Sequence, residues 1–166
     1  MPTPAFKLPV YYTLFFLFIE PIATLAGAFY ANFRQLDYLQ LTDAASSPLS
    51  IEEIPLVTST VLTQLANLYF AFVLNEALVL RATSDLRVWK TLLFGLLVAD
   101  FGHLYSCHGL GLDIYWNVLG WNKMDWGNIG FVYVGATMRM LFLSGVGLDT
   151  AKARVAAARV EARKKK

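Results

Sequence analysis

The sequence contains one cysteine, Cys107, among its 166 residues. A single thiol cannot form an internal disulfide, and it provides neither a CxxC redox pair nor a cysteine-rich zinc site. Four-span quinone reductases and disulfide reductases depend on such pairs, so both classes are excluded.

Charged residues are also scarce. They make up 16% of the chain, whereas hydrophobic residues make up 57% and the mean hydropathy is +0.49. Soluble domains average about 25% charged and about 45–50% apolar residues. The composition therefore favours an integral membrane protein whose first partner is the lipid bilayer. We expect no nucleic acid among its partners.

Apolar residues are concentrated in four windows, at residues 8–31, 55–80, 89–107 and 126–146. A bilayer-spanning helix needs about 20 mostly apolar residues, and none of the windows alternates like a barrel strand. Because backbone groups in lipid must bond internally, the windows predict four helices. The expected fold is all-α: a four-helix transmembrane bundle over residues 1–147, followed by a basic, helical, cytosolic tail at 148–166.

Lysine and arginine are distributed asymmetrically about these windows. The connections at residues 32–54 and 108–125 contain only Arg34 and Lys123, whereas eleven basic residues lie beyond the opposite window ends or in the tail. The positive-inside rule therefore predicts that both termini are cytosolic. The last four residues resemble a dibasic retrieval signal, which points to the endoplasmic reticulum.

The first window has an alternative interpretation as a signal peptide. Residues 11–19 would be its apolar region, and Ala26, Gly27 and Ala28 resemble a small-residue cleavage site. Only Lys7 provides positive charge ahead of it, and apolar sequence resumes after Pro21. We therefore predict an uncleaved first span.

The segments outside the windows lead to two further predictions. Residues 32–54 are rich in serine and acidic side chains, which predicts a solvated, turn-rich connection. The tail from Asp149 lacks glycine and proline and is rich in alanine, which predicts that the fourth helix continues into it.

Several ionisable residues lie at depth within the windows: Glu20, Glu76, Asp100, His103 and Arg139. An Asp, Lys or Arg at the centre of a membrane helix costs roughly 2.5–3.5 kcal/mol, so such residues are functional-site candidates that face the bundle interior. Counted along each window, Glu20, Asp100 and Arg139 lie near the middle. Glu76 lies only five residues from Arg81, and we expect its side chain to reach the cytosolic interface.

Arg139 can pair with Glu20 or Asp100 through its planar guanidinium. One arginine does not balance two carboxylates, so one carboxyl is expected to retain its proton, as a general acid must. We assign Asp100 and Glu20 as candidate catalytic acids and His103 as a catalytic base or orienting group. The candidates for ligand-binding or supporting roles are Arg139, Asn128, Glu76, Asn67 and Trp126.

Asp100 and His103 are three residues apart and share one helix face. They could form a hydrogen-bonded structural pair, a catalytic pair, or a metal site together with Cys107. We predict no metal and no cofactor, because no further ligand cluster is visible.

Two further predictions concern Asn128 and the glycines of the windows. Asn128 is expected near the start of the fourth helix, where free N–H groups could orient a bound oxygen. Six glycines are expected to allow close helix packing. They are Gly27, Gly95, Gly102, Gly127, Gly130 and Gly135.

The stretches FIEPIATLAGAFYANF, LNEALVLR, LVADFGHLYS, DIYWN and WNKMDWGNIGF resemble an uncharacterised fungal family of short four-span integral membrane proteins. The resemblance covers roughly residues 8–147 and implies a fold and a membrane location. A looser, fold-level similarity links the chain to the emopamil-binding and sterol-isomerase superfamily. Those proteins are small helical bundles with buried acidic residues and an apolar cavity for sterol-like ligands.

Two functions follow from these observations as hypotheses. An acid–base isomerase or cyclase acting on a lipophilic, sterol- or terpenoid-like substrate would need an apolar cavity bordered by the polar residues. A non-catalytic membrane adaptor, lipid-binding protein or complex subunit predicts that Arg139, Glu20 and Asp100 close on one another without a cavity. A homo-oligomer or a membrane protein partner is compatible with both, and a transporter would require oligomerisation.

Overall fold

The computed structural model describes residues 8–148, which form helices, turns and connections without a strand. The helices are α1 (Val10–Phe33), the short α2 (Gln35–Thr42), α3 (Leu56–Ala82), α4 (Leu86–Ser106) and α5 (residues 123–144). Short 3-10 turns occupy the connections, at Ile51–Glu53, Cys107–Leu110, Leu112–Tyr115 and Val118–Gly120. The predicted basic tail lies outside the described residues, except for Leu148.

Within this described part, the prediction of an all-helical chain with four long helices is confirmed. The prediction of a turn-rich connection at residues 32–54 is wrong in its first part, because Gln35–Thr42 is helical. Tyr38 explains the difference. Its side chain is buried against Ala31, Leu62 and Ala66, so α2 packs onto the bundle instead of lying in solvent.

The long helices run up and down and pack as two pairs, α1 along α3 and α4 along α5. We call the end formed by Val10, Ala82, Leu86 and Ser144 the inner end, and the opposite end the outer end. The turn at residues 83–85 joins the two pairs at the inner end.

An aromatic core closes the inner end. The Phe142 ring contacts Tyr12 at a centroid distance of 5.1 Å, Trp89 at 5.7 Å and Phe16 at 6.0 Å. Each such aromatic pair contributes about 0.5–1.5 kcal/mol beyond the area it buries. The Tyr12 hydroxyl also donates to the Val146 carbonyl at 3.0 Å, which ties the start of α1 to the end of α5.

Helix α5 ends at Ser144, so the prediction that it continues directly into the tail is wrong. Gly145 adopts a φ of 87°, in the left-handed region that glycine occupies most readily. The Val146 N–H then donates to the Leu141 carbonyl at 3.0 Å, and the Lys90 ammonium donates to the Leu143 carbonyl at 3.1 Å. The glycine and the lysine together satisfy the last carbonyls of the helix.

Three of the long helices contain a wider π-helical segment, at Phe15–Ile19, Asn75–Val79 and Trp126–Phe131. The first of these is followed by Pro21, which has no N–H to donate to the Leu17 carbonyl four residues earlier. Arg81 replaces the missing donor, since its Nη2 lies 2.5 Å from the Leu17 oxygen. The same guanidinium lies 4.6 Å from the Phe18 ring centroid.

The outward faces of the helices are apolar. On α1, Leu14, Ile22, Phe29 and Phe33 follow one another at helical spacing, and all are exposed. Charged Glu20, Glu76 and Arg139 are instead buried. Two of the helices, α1 and α3, are long and apolar enough to cross a membrane.

Replacing Arg81 with glutamine is expected to lower the free energy of unfolding by about 1 kcal/mol, because the Leu17 carbonyl loses its donor. In a Pro21→Ala background the loss should be smaller, because an alanine there supplies its own N–H. Thermal unfolding of the purified protein in detergent would measure both, with the exposed Arg87→Gln as the matched control. Equal losses in the two backgrounds would contradict the pairing.

Candidate functional site

Arg139 is the centre of a buried ion cluster, and its guanidinium contacts three carboxylates. Nη1 donates to Asp100 Oδ2 at 2.6 Å, and Nη2 donates to Glu20 Oε1 and to Glu76 Oε1, the latter at 3.4 Å. Each of the four long helices contributes one member: Glu20 from α1, Glu76 from α3, Asp100 from α4 and Arg139 from α5. The cluster therefore joins both helix pairs.

The charges of this cluster do not balance. Among the described residues, Arg139 is the only cation that forms an ion pair with these three carboxylates. Arg139 and Glu76 are 3% and 1% exposed, respectively, so water screens the excess negative charge poorly. Uncompensated buried charge costs several kcal/mol per ion. Charge balance therefore favours a cluster that retains at least one proton.

Within residues 8–148, several polar atoms near the cluster have no hydrogen-bond partner. They are Glu20 Oε2, Glu76 Oε2, Arg139 Nε and His103 Nε2, all buried. More than about 90% of buried polar groups in proteins are hydrogen-bonded. A concentration of such atoms in one place is the feature expected of a site that binds a ligand or handles protons.

A glycine makes room for the guanidinium. A Cβ built on Gly135 would lie 2.8 Å from Arg139 Nη1 and 3.3 Å from Glu20 Oε1. A Cβ built on Gly27 would lie 3.5 Å from the Tyr69 ring, and one built on Gly130 would lie 3.0 Å from the Trp126 ring, so the predicted close packing holds at these three positions. It is wrong for Gly95, Gly102 and Gly127, because no neighbouring atom lies within 4 Å of a Cβ built there.

A cavity of about 510 Å³ lies above the cluster, towards the outer end. Glu20, Glu76, Asp100 and Arg139 form its floor. Its walls are mainly apolar. Helix α1 contributes small residues, and the other helices contribute mostly larger ones. Among the lining residues are Ala23, Gly27, Phe72, Leu96, Ala99, Phe131 and Val132.

Helix α2 and the start of α5 close the cavity at its outer end. The Asn122 side chain donates to the Leu41 carbonyl at 2.8 Å, and the Tyr38 and Tyr69 hydroxyls lie 3.4 Å apart in a hydrogen bond. Burial raises the pKa of the Tyr38 hydroxyl, so it stays protonated. This roof offers phenol groups to anything held in the cavity.

The structure brings together the predicted residues Glu20, Asp100 and Arg139. The prediction for Glu76 is wrong, since its side chain reaches inward to Arg139 instead of to the interface. The physical reason is the charge of Arg139, which offers the carboxylate a buried partner. Glu76 is thus a full member of the cluster.

His103 lines the cavity but does not pair with Asp100, whose Oδ2 accepts from Arg139 instead. The predicted hydrogen-bonded Asp–His pair is therefore absent from residues 8–148, and the His103 ring interacts with the Asn128 backbone. The metal alternative finds no support either: no three His, Cys, Asp or Glu side chains of the described chain are arranged to hold an ion. Cys107 Sγ lies 3.5 Å from the His103 carbonyl oxygen.

The remaining predicted residues divide into two groups. Asn128 and Trp126 line the cavity, whereas Asn67 lies exposed on the outer surface of α3 and does not. The predicted free N–H groups beside Asn128 are wrong, because α5 begins at Lys123 and not near Asn128. Asn122 Oδ1 accepts from the first N–H groups in a capping box.

The sequence did not identify Tyr30, Tyr38 and Tyr69, which bring phenol groups into the cavity. A tyrosine within or beside an apolar window is a weak signal, since aromatic belts have the same composition. The π-helical segments were also missed, although Glu76 and Asn128 lie inside two of them and Glu20 follows the third. Such segments occur frequently at functional sites.

Taken together, these features define an all-helical protein in which four long helices surround a cavity above a buried ion cluster. A family model described as "Domain of unknown function (DUF7704)" matches residues 5–149, and the chain belongs to that family. No curated protein and no solved structure matches it. The comparisons therefore support neither a fungal origin nor the looser similarity to sterol isomerases.

Substituting Gly135 with alanine is expected to push the guanidinium away from Glu20, because the new Cβ would lie 2.8 Å from Arg139 Nη1. We expect a loss of about 1–3 kcal/mol in the free energy of unfolding, the range for overpacking a buried site. Thermal unfolding in detergent measures the loss.

Gly95→Ala is the control for that change, since its Cβ meets no atom within 4 Å. Alanine favours a helix over glycine by about 1 kcal/mol, so this variant should be neutral or more stable. If Gly135→Ala behaved like Gly95→Ala, the close fit around Arg139 would be disproved.

Proposed function

We propose that this protein is a four-span integral membrane protein. The supporting observation is that polar and apolar groups are inverted relative to a soluble protein. Only 33% of the apolar window of α1 and 17% of that of α3 is buried in the bundle, whereas the charged cluster is inside. Exposed apolar stripes of this length are typical of surfaces that contact lipid.

Helix length agrees with this proposal. The helices α1, α3 and α4 contain 24, 27 and 21 residues. At about 1.5 Å per residue, each is long enough for a hydrocarbon core of about 30 Å. Helices α4 and α5 carry Asp100, His103 and Arg139, and the cluster pairs two of these charges inside the bundle.

The distribution of basic residues supports an orientation with the inner end in the cytosol. Arg81, Arg87 and Lys90 surround the inner turn, whereas Arg34 and Lys123 are the only basic residues in the outer connections. Both termini are then cytosolic.

We further propose that the cavity holds a lipophilic, sterol- or terpenoid-like substrate for acid–base isomerisation or cyclisation. The observation that supports this is the combination of a mainly apolar cavity with an unbalanced carboxylate cluster as its floor. Apolar pockets with a few convergent polar groups are typical of sites for small lipophilic molecules. Both reactions proceed without a soluble cofactor.

Glu76 is the acid in this proposal. Its contact with Arg139 is 3.4 Å long, against 2.6 Å for Asp100, and its second oxygen has no hydrogen-bond partner among the described residues. Glu76 is thus the carboxyl that Arg139 holds least strongly in the ionised form. Glu20 and Asp100 remain paired with the guanidinium.

The proposed isomerisation is a proton shift in two steps. The Glu76 carboxyl donates its proton to one carbon of an alkene, and the π electrons form the new C–H bond. The resulting carbocation lies beside the ionised Glu20 and Asp100, which stabilise its charge. His103 Nε2 removes a proton from a neighbouring carbon, a new double bond forms, and the proton returns to Glu76.

A lipid-binding protein without catalysis is the second candidate. It is favoured by the direct contacts of Glu20 and Asp100 with Arg139, which are those expected of a structural network. The structure contains both that network and the cavity. The enzyme and the lipid-binding protein therefore both predict a lipophilic molecule in the cavity. Turnover separates them.

Glu76→Gln is expected to abolish turnover and leave the fold intact, because the amide keeps the shape but donates no acidic proton. Glu52→Gln, in the exposed outer connection, is the matched control. Mass spectrometry of lipids bound to each purified variant should show product with the wild type and the control, and substrate alone with Glu76→Gln. Identical lipid profiles in all three would favour the non-catalytic candidate.

The orientation can be tested with single cysteines in a Cys107→Ser background. Leu119 is fully exposed in the outer connection, and Ser84 is exposed in the inner turn. A membrane-impermeant maleimide applied to intact microsomes should label Ser84→Cys, and Leu119→Cys only after permeabilisation. The reverse pattern would overturn the orientation, and labelling of both without permeabilisation would overturn the four-span proposal.

A further inference from the structure

Among the described residues, the polar and ring contacts that join α1 to α5 come from the inner half of α1. Glu20 pairs with Arg139, the Phe15 and Phe131 rings stack at 5.9 Å, and Tyr12 donates to the Val146 carbonyl. These contacts close the inner part of the bundle between α1 and α5.

Within the described residues, the outer halves of the same two helices are not joined by contacts of these kinds. Across residues 8–148, no hydrogen bond, ion pair or ring contact joins residues 23–33 of α1 to residues 126–132 of α5. The cavity lies at this level of the bundle. Each outer half packs instead against its own pair or against α2.

Exposure of the lining residues shows where the cavity opens. Five lining residues are exposed, and all of them belong to α1 or α5: Ala26, Tyr30, Lys123, Trp126 and Gly127. Tyr30 is 39% exposed and Trp126 is 54% exposed. The lining residues on α3, α4 and α2 are all buried or half-buried.

The other directions are closed. The roof is joined by the Asn122–Leu41 hydrogen bond and by the Tyr38–Tyr69 contact. The floor is the ion cluster, with the aromatic core beneath it. The opening between α1 and α5 therefore faces sideways, where the proposed membrane surrounds the bundle.

We propose that this gap is a lateral portal through which a lipophilic molecule passes between the bilayer and the cavity, with Tyr30 and Trp126 as its two flanking side chains. The proposal rests on the proposed function, since it needs a ligand that dissolves in lipid. A molecule that enters here never crosses the polar outer connections, so the portal selects apolar molecules over water-soluble ones. The site then takes membrane lipids or lipid-dissolved precursors.

Two glycines provide a matched pair for testing the portal. Gly127 and Gly95 are both exposed helical glycines, and a Cβ at either would meet no atom within 4 Å. Gly127 lines the cavity at the gap, whereas Gly95 lies elsewhere, on the outer surface of α4. At both positions a tryptophan side chain begins in open space, and only the one at Gly127 lies beside the gap.

The experiment uses a photoreactive diazirine sterol in phosphatidylcholine vesicles that contain the full-length protein. Labelling of peptides that contain Tyr69 or His103 is followed over time by mass spectrometry. Gly127→Trp should slow the initial rate several-fold, and Gly95→Trp should match the wild type. Trp126→Ala, which removes a flanking ring, should raise the initial rate.

The outcomes separate the portal from the proposed function. Labelling of the wild-type cavity at a rate that neither Gly127→Trp nor Trp126→Ala alters would overturn the portal and leave the lipophilic site in place. Absence of cavity labelling in the wild type at saturating probe would overturn the lipophilic site and the portal with it. Slowing by Gly127→Trp with acceleration by Trp126→Ala supports both.

Discussion

The contact between Arg139 and three carboxylates holds this structure together. The guanidinium is planar and has several N–H donors, so it can donate hydrogen bonds in different directions at once. Here the three carboxylates come from the three other long helices. A contact between two neighbouring helices joins only those two, whereas this one group joins all four. The same group that joins the helix pairs also provides the cavity floor, so packing and chemistry depend on one residue.

That arrangement also explains why the cavity can exist. In the proposed membrane setting, apolar side chains gain little from leaving the lipid, so the helices associate through packing and polar contacts. The inner half has both the aromatic core around Phe142 and the ion cluster. With this half closed, the outer half needs only the smaller contacts of α2 and Asn122, and it can remain open around a ligand.

Much of the architecture was predictable, because windows of about 20 apolar residues admit few alternatives to long helices. The charged members of the site were predictable for the same reason, as Glu20, Asp100 and Arg139 are exceptions within apolar sequence. Their arrangement was not. The sequence prediction placed the Glu76 side chain at the interface because Glu76 lies close to Arg81. Nothing near Glu76 in the sequence shows that Arg139 attracts its carboxylate inward. His103 shares a helix face with Asp100, but the Asp100 carboxylate accepts a hydrogen bond from Arg139 on another helix. Helix α2 was missed because its stability comes from the burial of Tyr38.

The π-helical segments have a geometric consequence for the site. A wider turn adds one residue to a helix, and each residue corresponds to about 100° of rotation in an ordinary α-helix. Side chains beyond the segment are therefore out of phase with those before it. On α1, Tyr12 precedes this change and faces the aromatic core, whereas Glu20 follows it and faces Arg139. The wider turn thus lets both residues face the bundle interior, whereas a strictly periodic helix with the same composition would align only one of them.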